Sequence, residues 1–319
     1  MKSLLLIYLF TFIFCSNFND IAKKVNSLKT TWKADEKISR DFTPLLGVLP
    51  NWRENLPPRK IFESYKDLPE SFDLREAYPN CESIKEIRDQ ANCGSCWAFG
   101  AAEAMSDRLC IQSNQQLQTR VSTEYLVTCC YECGFGCNGG WTSMAFDFWM
   151  NTGIPTGGMY NDTSTCQPYF LPNCDHHCEG KYGPCPETTT EPECSQECIK
   201  EYGKELEADK SFGKDSYSVY GENDIMNELY EKGSVSASFD VYEDFLTYKS
   251  GIYQHIEGSF LGGHAIKIIG WGVEDGVKFW ICVNSWNEDW GEEGLFRMLK
   301  GKDECGIESG IVAGNPKLE

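Results

Sequence analysis

The sequence predicts an α+β fold in which a helical half and a β-strand half meet at a cleft. Apolar residues after Cys96, such as Ala98 and Ala102, recur at the spacing of one helical face. After Ser216 the chain has short β-branched and aromatic runs bounded by glycine, which are typical of strands. Between these two regions, residues 160–200 contain six cysteines and almost no periodicity, and this pattern indicates a disulfide-stapled loop.

The elements follow in chain order from these signals. Residues 17–67, taken alone, favour a marginal helix and a linker. Helices are then expected over about residues 96–111, after Ser122, which suits a helix N-cap, and over about residues 142–151. A further helix and the strands of an antiparallel sheet or barrel are predicted at residues 222–232, 235–239, 264–271, 278–283 and 294–298.

Composition and charge limit the classes of function. The chain has 319 residues, of which 41% are hydrophobic, so it has ample material for a packed core. The 29 basic and 48 acidic residues give a formal net charge of −19. Nucleic acid and anionic membranes would repel this charge, so neither is expected as a partner. The balance is compatible with an acidic compartment, where protonated carboxylates repel each other less.

The first residues have the pattern of a secretory signal peptide. Lys2 precedes an apolar run over residues 4–14, and two small residues follow it. The run is too short for a membrane span, so residues 1–16 are predicted to be removed, and no later stretch is long and apolar enough to span. The secretory pathway is therefore expected, with the lysosome or the extracellular space as destination. Asn161 begins a sequon and is a candidate glycosylation site.

The stretch QANCGSCW at residues 90–97 carries the candidate nucleophile. Cys96 is placed at a helix N-terminus, where unpaired N–H groups and the helix dipole favour a thiolate. In a secreted chain with 17 cysteines, a disulfide would be the ordinary role of such a residue. The Cys-Gly-Ser-Cys-Trp sequence, however, matches the local signature of papain-like and cathepsin proteases, which favours a nucleophile.

From Leu68 to Gly314 the chain resembles the cathepsin B family of papain-like cysteine proteases. The resemblance implies a papain-like two-lobed fold, with a helical lobe, an antiparallel β-barrel-like lobe and the active-site cleft between them. It implies a peptidase domain over residues 68–319, preceded at 17–67 by a propeptide that lies through the cleft and inhibits the enzyme. The segment contains a Thr-Thr-Trp sequence, at residues 30–32, similar to one in the family's propeptide. Protein and peptide substrates, a monomer and no cofactor are expected.

A cysteine nucleophile needs a base, and the resemblance assigns one. His264 opens the strongest predicted strand in a Gly-Gly-His-Ala sequence similar to that of the family's catalytic histidine, whereas His255 lies in a polar, turn-like stretch. Asn284, in an Asn-Ser-Trp sequence, matches the residue that orients the imidazole. Gln90 matches the oxyanion donor, which acts with the backbone N–H of Cys96.

An inserted loop is indicated by spacing. The cysteine and histidine lie farther apart than the roughly 130–150 residues of papain-type enzymes. Residues 174–185 resemble the occluding loop of cathepsin B, in which His176 and His177 are expected to bind the substrate's C-terminal carboxylate and so direct removal of C-terminal dipeptides. His176 is expected to pair with Asp89. A protonated imidazole would hold the loop closed at acidic pH, and a rise in pH would weaken closure and free endopeptidase activity.

Further positions match the family's substrate-binding residues; they are Gly140, Trp141, Gly263, Ala265, Trp286 and Gly310. Gly310 stands where the family commonly has a glutamate, at the floor of the pocket for the second residue before the cut. An arginine in that pocket would lack its charge partner. The sequence therefore predicts a preference for apolar or aromatic side chains there.

The resemblance also implies six disulfides, which are Cys81–Cys110, Cys93–Cys137, Cys129–Cys194, Cys130–Cys133, Cys166–Cys198 and Cys174–Cys185. Beyond the signal peptide, these pairings leave Cys96, Cys178, Cys282 and Cys305 unpaired. A zinc site is the alternative for cysteine and histidine at short spacing, but it needs free thiolates, and secretion favours disulfides.

An inactive homologue that acts as a binding protein is the alternative function. Such homologues usually lose the nucleophile or the base. Here Gln90, Cys96, His264 and Asn284 are all present, which favours an active protease.

Overall fold

The fold is described from a computed structural model for residues 18–37, 41–63, 67–176, 180–187 and 189–318. The predicted signal peptide, His177 and Cys178 lie outside these residues. Within the described ranges no helix has the length and apolar character that a membrane span requires.

Eight α-helices are described along the chain. They are α1 (residues 18–27), α2 (Leu74–Ala77), α3 (Glu82–Lys85), α4 (Cys96–Gln112), α5 (Thr123–Cys129), α6 (Thr142–Asn151), α7 (Leu206–Asp209) and α8 (Glu222–Lys232). The predicted helices after Cys96 and Ser122 and those over 142–151 and 222–232 are confirmed. The N-cap role of Ser122 is confirmed as well, because its hydroxyl accepts the N–H of Tyr125 at 3.0 Å.

The strands form one open sheet. In chain order they are β1 (Trp32–Ala34), β2 (Phe72–Asp73), β3 (Tyr217–Val219), β4 (Val235–Tyr242), β5 (Tyr248–Tyr253), β6 (Phe260–Glu274), β7 (Val277–Val283), β8 (Leu295–Leu299) and β9 (Ile311–Ala313). Across the sheet the order is β1-β5-β8-β7-β6-β4-β9-β3, with β2 paired to β6.

Two details of the sheet differ from the expected antiparallel, barrel-like lobe. The sheet is not closed into a barrel, because β1 and β3 stand at opposite ends of its strand order. In addition, β5 and β8 pair in parallel, whereas β7 is antiparallel to both of its neighbours, β6 and β8. The sequence does not predict the short strands β1, β2, β3 and β9, because two or three residues carry no measurable periodicity, and it also misses the six-residue strand β5.

Helix α4 is buried on all sides rather than along one face. Every residue from Cys96 to Ile111 is buried, including charged ones. These charges are paired, since Arg108 Nη2 lies 2.7 Å from Glu228 Oε1 and Lys267 Nζ lies 3.0 Å from Asp107 Oδ2. Buried charges need such partners, so the helix can sit inside the molecule and still carry polar residues.

The helical and strand halves meet where α4 packs on β4 and β6. Gly100 permits this approach, because an added Cβ would lie 2.9 Å from Ser236 Oγ and 3.1 Å from the carbonyl oxygen of Ile266. The contact brings Cys96, at the start of α4, against Ala265 of β6. The two candidate catalytic elements are therefore joined by core packing.

Residues 18–37 and 41–63, hereafter the N-terminal segment, are packed on the strand half. Trp32 is 1% exposed, and its ring centroid lies 5.1 Å from that of Tyr253. Its indole N–H donates to the carbonyl of Gln254 at 2.9 Å, and β1 pairs with β5. The segment is more ordered than the marginal helix and linker that its own sequence favours, because its partners lie far away along the chain.

The cysteine-rich region forms the stapled loop that its sequence indicates. The described parts of residues 152–205 contain neither helix nor strand. Within the described chain, six disulfides join Cys81–Cys110, Cys93–Cys137, Cys129–Cys194, Cys130–Cys133, Cys166–Cys198 and Cys174–Cys185, the pairs that the resemblance implied. Asn161 is exposed in a turn of this region.

Candidate active site

Cys96 begins α4 and is completely buried at the meeting point of the two halves. Its Sγ accepts the backbone N–H of Gly47, from the N-terminal segment, at 3.1 Å. Burial raises the pKa of the Cys96 thiol to about 11, although the N–H groups of Ala265 and Gly47 oppose that rise. With the segment in place, Cys96 is therefore a protonated thiol at neutral pH.

His264 lies on β6 and is also completely buried. Its Nε2 lies 2.8 Å from Oδ1 of Asn284, and the same oxygen accepts the N–H of Ser285 at 2.9 Å. Since Oδ1 only accepts, Nε2 carries the ring proton and Nδ1 is left with a lone pair. In the described chain Nδ1 has no hydrogen-bond partner. Burial lowers the pKa of His264 to about 4, opposed by the Asn284 bond, so the ring is neutral.

Two tryptophans cover the His264–Asn284 hydrogen bond. The ring of Trp286 lies 4.8 Å from that of His264, and Trp290 packs against Trp286 at 5.1 Å. Both tryptophans are fully buried. They keep water from competing for the bond, and the imidazole is held in one orientation.

Gln90 is fully buried beside Cys96, and its amide is oriented by two donors. Its Oε1 accepts Ser285 Oγ at 2.8 Å and Trp286 Nε1 at 3.2 Å. Its Nε2 is consequently the donor, and it donates to the carbonyl oxygen of Cys93 at 2.6 Å and to that of Leu45, in the N-terminal segment, at 2.9 Å. The sequence singled out Gln90 but not Ser285, although Ser285 stands in the same Asn-Ser-Trp stretch as Asn284.

The N-terminal segment crosses the cleft as extended backbone. Three hydrogen bonds attach it to both walls: Val48 N–H donates to Gly263 at 3.0 Å, Leu49 N–H to Gly140 at 3.1 Å, and Gly140 N–H to Gly47 at 2.9 Å. Gly140 and Gly263 thus face each other across one strand of chain. The cleft is shaped to hold an extended peptide.

A pocket beside Cys96 is filled by Trp52. An apolar cluster joins Val48, Trp52, Cys96 and Ala265, with Trp141 packed against it. At Gly310, an added Cβ would lie 2.1 Å from the carbonyl oxygen of Ser238 and 2.7 Å from the Trp52 ring. The absence of a side chain at Gly310 therefore makes room for a large aromatic ring.

His176 and Asp89 form a buried pair next to the cleft. His176 Nε2 lies 2.7 Å from Asp89 Oδ1, and neither side chain is exposed. Asp89 Oδ2 also accepts the N–H of Cys174 at 2.9 Å and the amide of Asn287 at 3.0 Å. The ring of Phe42 stacks on His176 at 5.9 Å. The loop is thus tied to the body of the molecule through Asp89; Asn287 and Phe42 carry no motif that singles them out.

The remaining histidine and cysteine candidates lie elsewhere. His255 Nδ1 lies 3.1 Å from Asp244, and its ring stacks on Tyr242 at 3.9 Å, so this histidine holds a turn. Cys282 is buried in β7, where burial raises its pKa well above the usual range, and Cys305 is a half-buried free thiol. Neither thiol has a hydrogen bond to Cys96, His264, Asn284 or Gln90 among those found in the described chain.

One group of cysteine and histidine side chains among the described residues has the spacing of a metal site but not the chemistry. Cys174, His176 and Cys185 place one potential ligand atom each within 4.8 Å of one another. Cys174 and Cys185 are bonded in a disulfide, however, and a disulfide sulfur is not a thiolate ligand. The residues therefore do not fit a zinc site while this bond is intact.

Comparison with known proteins gives consistent matches. Residues 68–315 match the family model described as papain family cysteine protease. A cathepsin B-like cysteine proteinase of Schistosoma japonicum is 53% identical over 294 residues, covering 89% of this chain and 86% of that protein. The cathepsin B-like cysteine proteinase 6 of Caenorhabditis elegans is 51% identical over 256 residues, covering 79% and 68%. The structure of procathepsin B S9 from Trypanosoma congolense superposes with a TM-score of 0.81 at 36% identity, covering 93% and 97%.

The covered thiol should be unreactive in the full chain. Because the thiolate is the reacting form, a pKa of about 11 predicts slow alkylation of Cys96 by iodoacetamide at pH 7, with a rate that rises about tenfold per pH unit. Mass spectrometry of the digested protein measures Cys96 separately from Cys282 and Cys305. A rate that already levels off below pH 8 would contradict the prediction.

Proposed function

The chain belongs to the papain family of cysteine proteases, among the cathepsin B-like proteinases, and from this premise we propose that Cys96 is the nucleophile and His264 the base of its peptide-bond hydrolysis. One observation carries the proposal. Cys96 and the His264–Asn284 pair stand on adjoining elements of the two halves, in a cleft that already holds an extended backbone. This is the arrangement that acyl transfer to a thiol requires.

The proposed steps use the groups as they are oriented. Nδ1 of His264 takes the Cys96 proton, and Sγ attacks the carbonyl carbon of the peptide bond. Gln90 Nε2 and the Cys96 backbone N–H stabilise the oxyanion that forms. His264 then returns the proton to the leaving amine, and water hydrolyses the acyl-enzyme. Removing the N-terminal segment would hydrate both groups and so reduce the burial that keeps the thiol and imidazole neutral.

Residues 17–67 are proposed to be an inhibitory propeptide, with the mature enzyme starting near Leu68. In support, the Leu45 carbonyl occupies the donor of Gln90, and Gly47 presents an N–H to the sulfur of Cys96. An N–H is not an electrophile, so the Gly47 N–H covers the Cys96 sulfur without giving it a carbonyl carbon to attack. The similarity to a procathepsin B structure agrees with this role.

We further propose that the protein enters the secretory pathway, for which its disulfides are suited, and reaches the lysosome or the cell exterior. A glycan on Asn161 would be accommodated, since that side chain is exposed.

The nucleophile assignment is tested by Cys96→Ser and Cys305→Ser, each compared with wild type after removal of the propeptide. Cys96→Ser should lose covalent labelling by an epoxide inhibitor of cysteine proteases and at least about 10³-fold of its peptide hydrolysis, because the thiolate is lost. Cys305→Ser should keep both. If wild type neither labels nor cleaves any peptide, the protein is a binding homologue and the proposal is wrong.

The buried His176–Asp89 pair supports a finer proposal, that residues 174–185 act as an occluding loop that directs peptidyl-dipeptidase activity. In this proposal His177, the residue after His176 in the sequence, binds the substrate's C-terminal carboxylate.

Replacing His177 should therefore separate two activities. His177→Ala is expected to lower kcat/KM for removal of C-terminal dipeptides by about tenfold or more, since a charge-assisted hydrogen bond to carboxylate is lost, while cleavage of an internally quenched endopeptidase substrate persists. Unchanged dipeptide removal in His177→Ala would show that the loop has another role.

Gly310 should set the preference at the second residue before the cut. The Trp52 ring already seated over Gly310 supports an apolar or aromatic occupant of this pocket. A peptide library varied at that position should give higher kcat/KM for phenylalanine, leucine or tyrosine than for arginine. A higher kcat/KM for peptides with arginine as the second residue before the cut would contradict the assignment.

A further inference from the structure

We propose that Asp240 forms a cation subsite in the substrate cleft, which binds an arginine or lysine side chain of the peptide. The proposal rests on the proposed peptidase function and adds a specificity element to it. Neither the sequence motifs nor the catalytic residues point to Asp240.

The N-terminal segment already places a cation at this carboxylate. Arg53 Nη2 lies 2.9 Å from Asp240 Oδ2, and Nη1 lies 3.5 Å from Oδ1, so the guanidinium faces both oxygens. The guanidinium also lies 3.8 Å from the centre of the Trp52 ring, the ring that fills the pocket over Gly310. Trp52 belongs to the same segment and would leave with it, so the partner that remains for a substrate side chain is the Asp240 carboxylate, which suits a guanidinium because both oxygens can accept.

The backbone around the guanidinium leaves room for it. Gly306 has φ 76°, and an added Cβ there would lie only 2.0 Å from Nη2 of Arg53. A side chain at position 306 would therefore force the guanidinium to shift. The subsite therefore has both a charge, from Asp240, and a space, from Gly306.

Asp240 faces the same cleft as the candidate catalytic residues. In the β4–β6 register it stands opposite Gly263, one residue before His264. It also lines a cavity of about 700 Å³, together with Gly139, Gly262 and residues 46–54 of the N-terminal segment. A peptide that replaces the segment along Gly140 and Gly263 would thus pass within reach of this carboxylate.

Departure of the propeptide would leave the carboxylate available. Among the described residues, Arg53 is the one basic side chain within ion-pair distance of Asp240. The Asp240 side chain is 26% exposed even with the segment in place. Once Arg53 has left, a basic substrate side chain can take its position, and arginine should exceed lysine because only the guanidinium spans both oxygens.

The size of the effect follows from exposure. Arg53 is 43% exposed, so water screens this pair, and an exposed ion pair changes a binding constant only modestly. We expect about a three- to fivefold preference, which is large enough to measure and too small to dominate the choice of substrate.

The test compares arginine with citrulline, its neutral analogue of nearly the same shape. Peptide substrates carry one or the other at each position from the third before to the second after the cut, and kcat/KM is measured on mature wild type, Asp240→Asn and Asp275→Asn. Asp275 is an exposed acid in the β6–β7 turn, at the far end of β6 from Gly263, and controls for net charge. At one position the arginine-to-citrulline ratio should be about three to five in wild type and Asp275→Asn, and about one in Asp240→Asn.

Equal ratios in wild type and Asp240→Asn at every position would overturn the subsite.

A second measurement does not depend on catalysis. Peptides of residues 42–60 with arginine or citrulline at position 53 are titrated calorimetrically into Cys96→Ser protein whose propeptide has been removed by an added protease. Arginine should bind about three- to fivefold more tightly, and equal affinities would again overturn the subsite. Failure of wild type to cleave any peptide would instead refute the peptidase function, and the calorimetric result would still decide the role of Asp240.

Discussion

The packing of α4 against β4 and β6 is the contact on which the site depends. It buries the helix completely, and Gly100 lets its backbone come close enough that Cys96 touches Ala265, the residue after His264. The proposed nucleophile and the proposed base lie far apart in sequence, and this interface brings their elements together. Because close-packed interiors transmit small displacements, the geometry of the reacting pair is as rigid as the core that holds it.

The N-terminal segment buries Cys96 and His264, so it affects their charge states as well as blocking access to them. Desolvation favours the neutral form of any ionisable group, and it therefore acts in opposite directions on an acid and a base. The pKa of Cys96 rises to about 11 and that of His264 falls to about 4. A charged thiolate–imidazolium pair is thus disfavoured for as long as residues 45–49 fill the cleft. In the proposed function, inhibition and activation would then depend on one physical variable, the access of water.

A single short stretch orients both polar partners of the nucleophile. Asn284 accepts from His264, while Ser285 and Trp286 donate to Oε1 of Gln90 and so leave its Nε2 to donate to the carbonyl oxygens of Cys93 and of Leu45 in the segment that fills the cleft. Trp286 also shields the imidazole. The Asn-Ser-Trp sequence therefore fixes the tautomer of His264 and the orientation of the Gln90 amide together, and a shift of this loop would disturb both.

The sequence by itself determined the features whose chemistry is local. The helix start at Cys96, the Gly-Gly-His and Asn-Ser-Trp stretches and the glycine at position 310 are readable because a few adjacent residues suffice to define each one. Only the tertiary structure decided which distant groups meet. The parallel pairing of β5 with β8 and the contact of Arg53 with Asp240 join segments that no local pattern relates, the latter across 187 residues. Such contacts depend on how the whole chain packs, and burial, which sets the charge state of Cys96 and His264, depends on it in the same way.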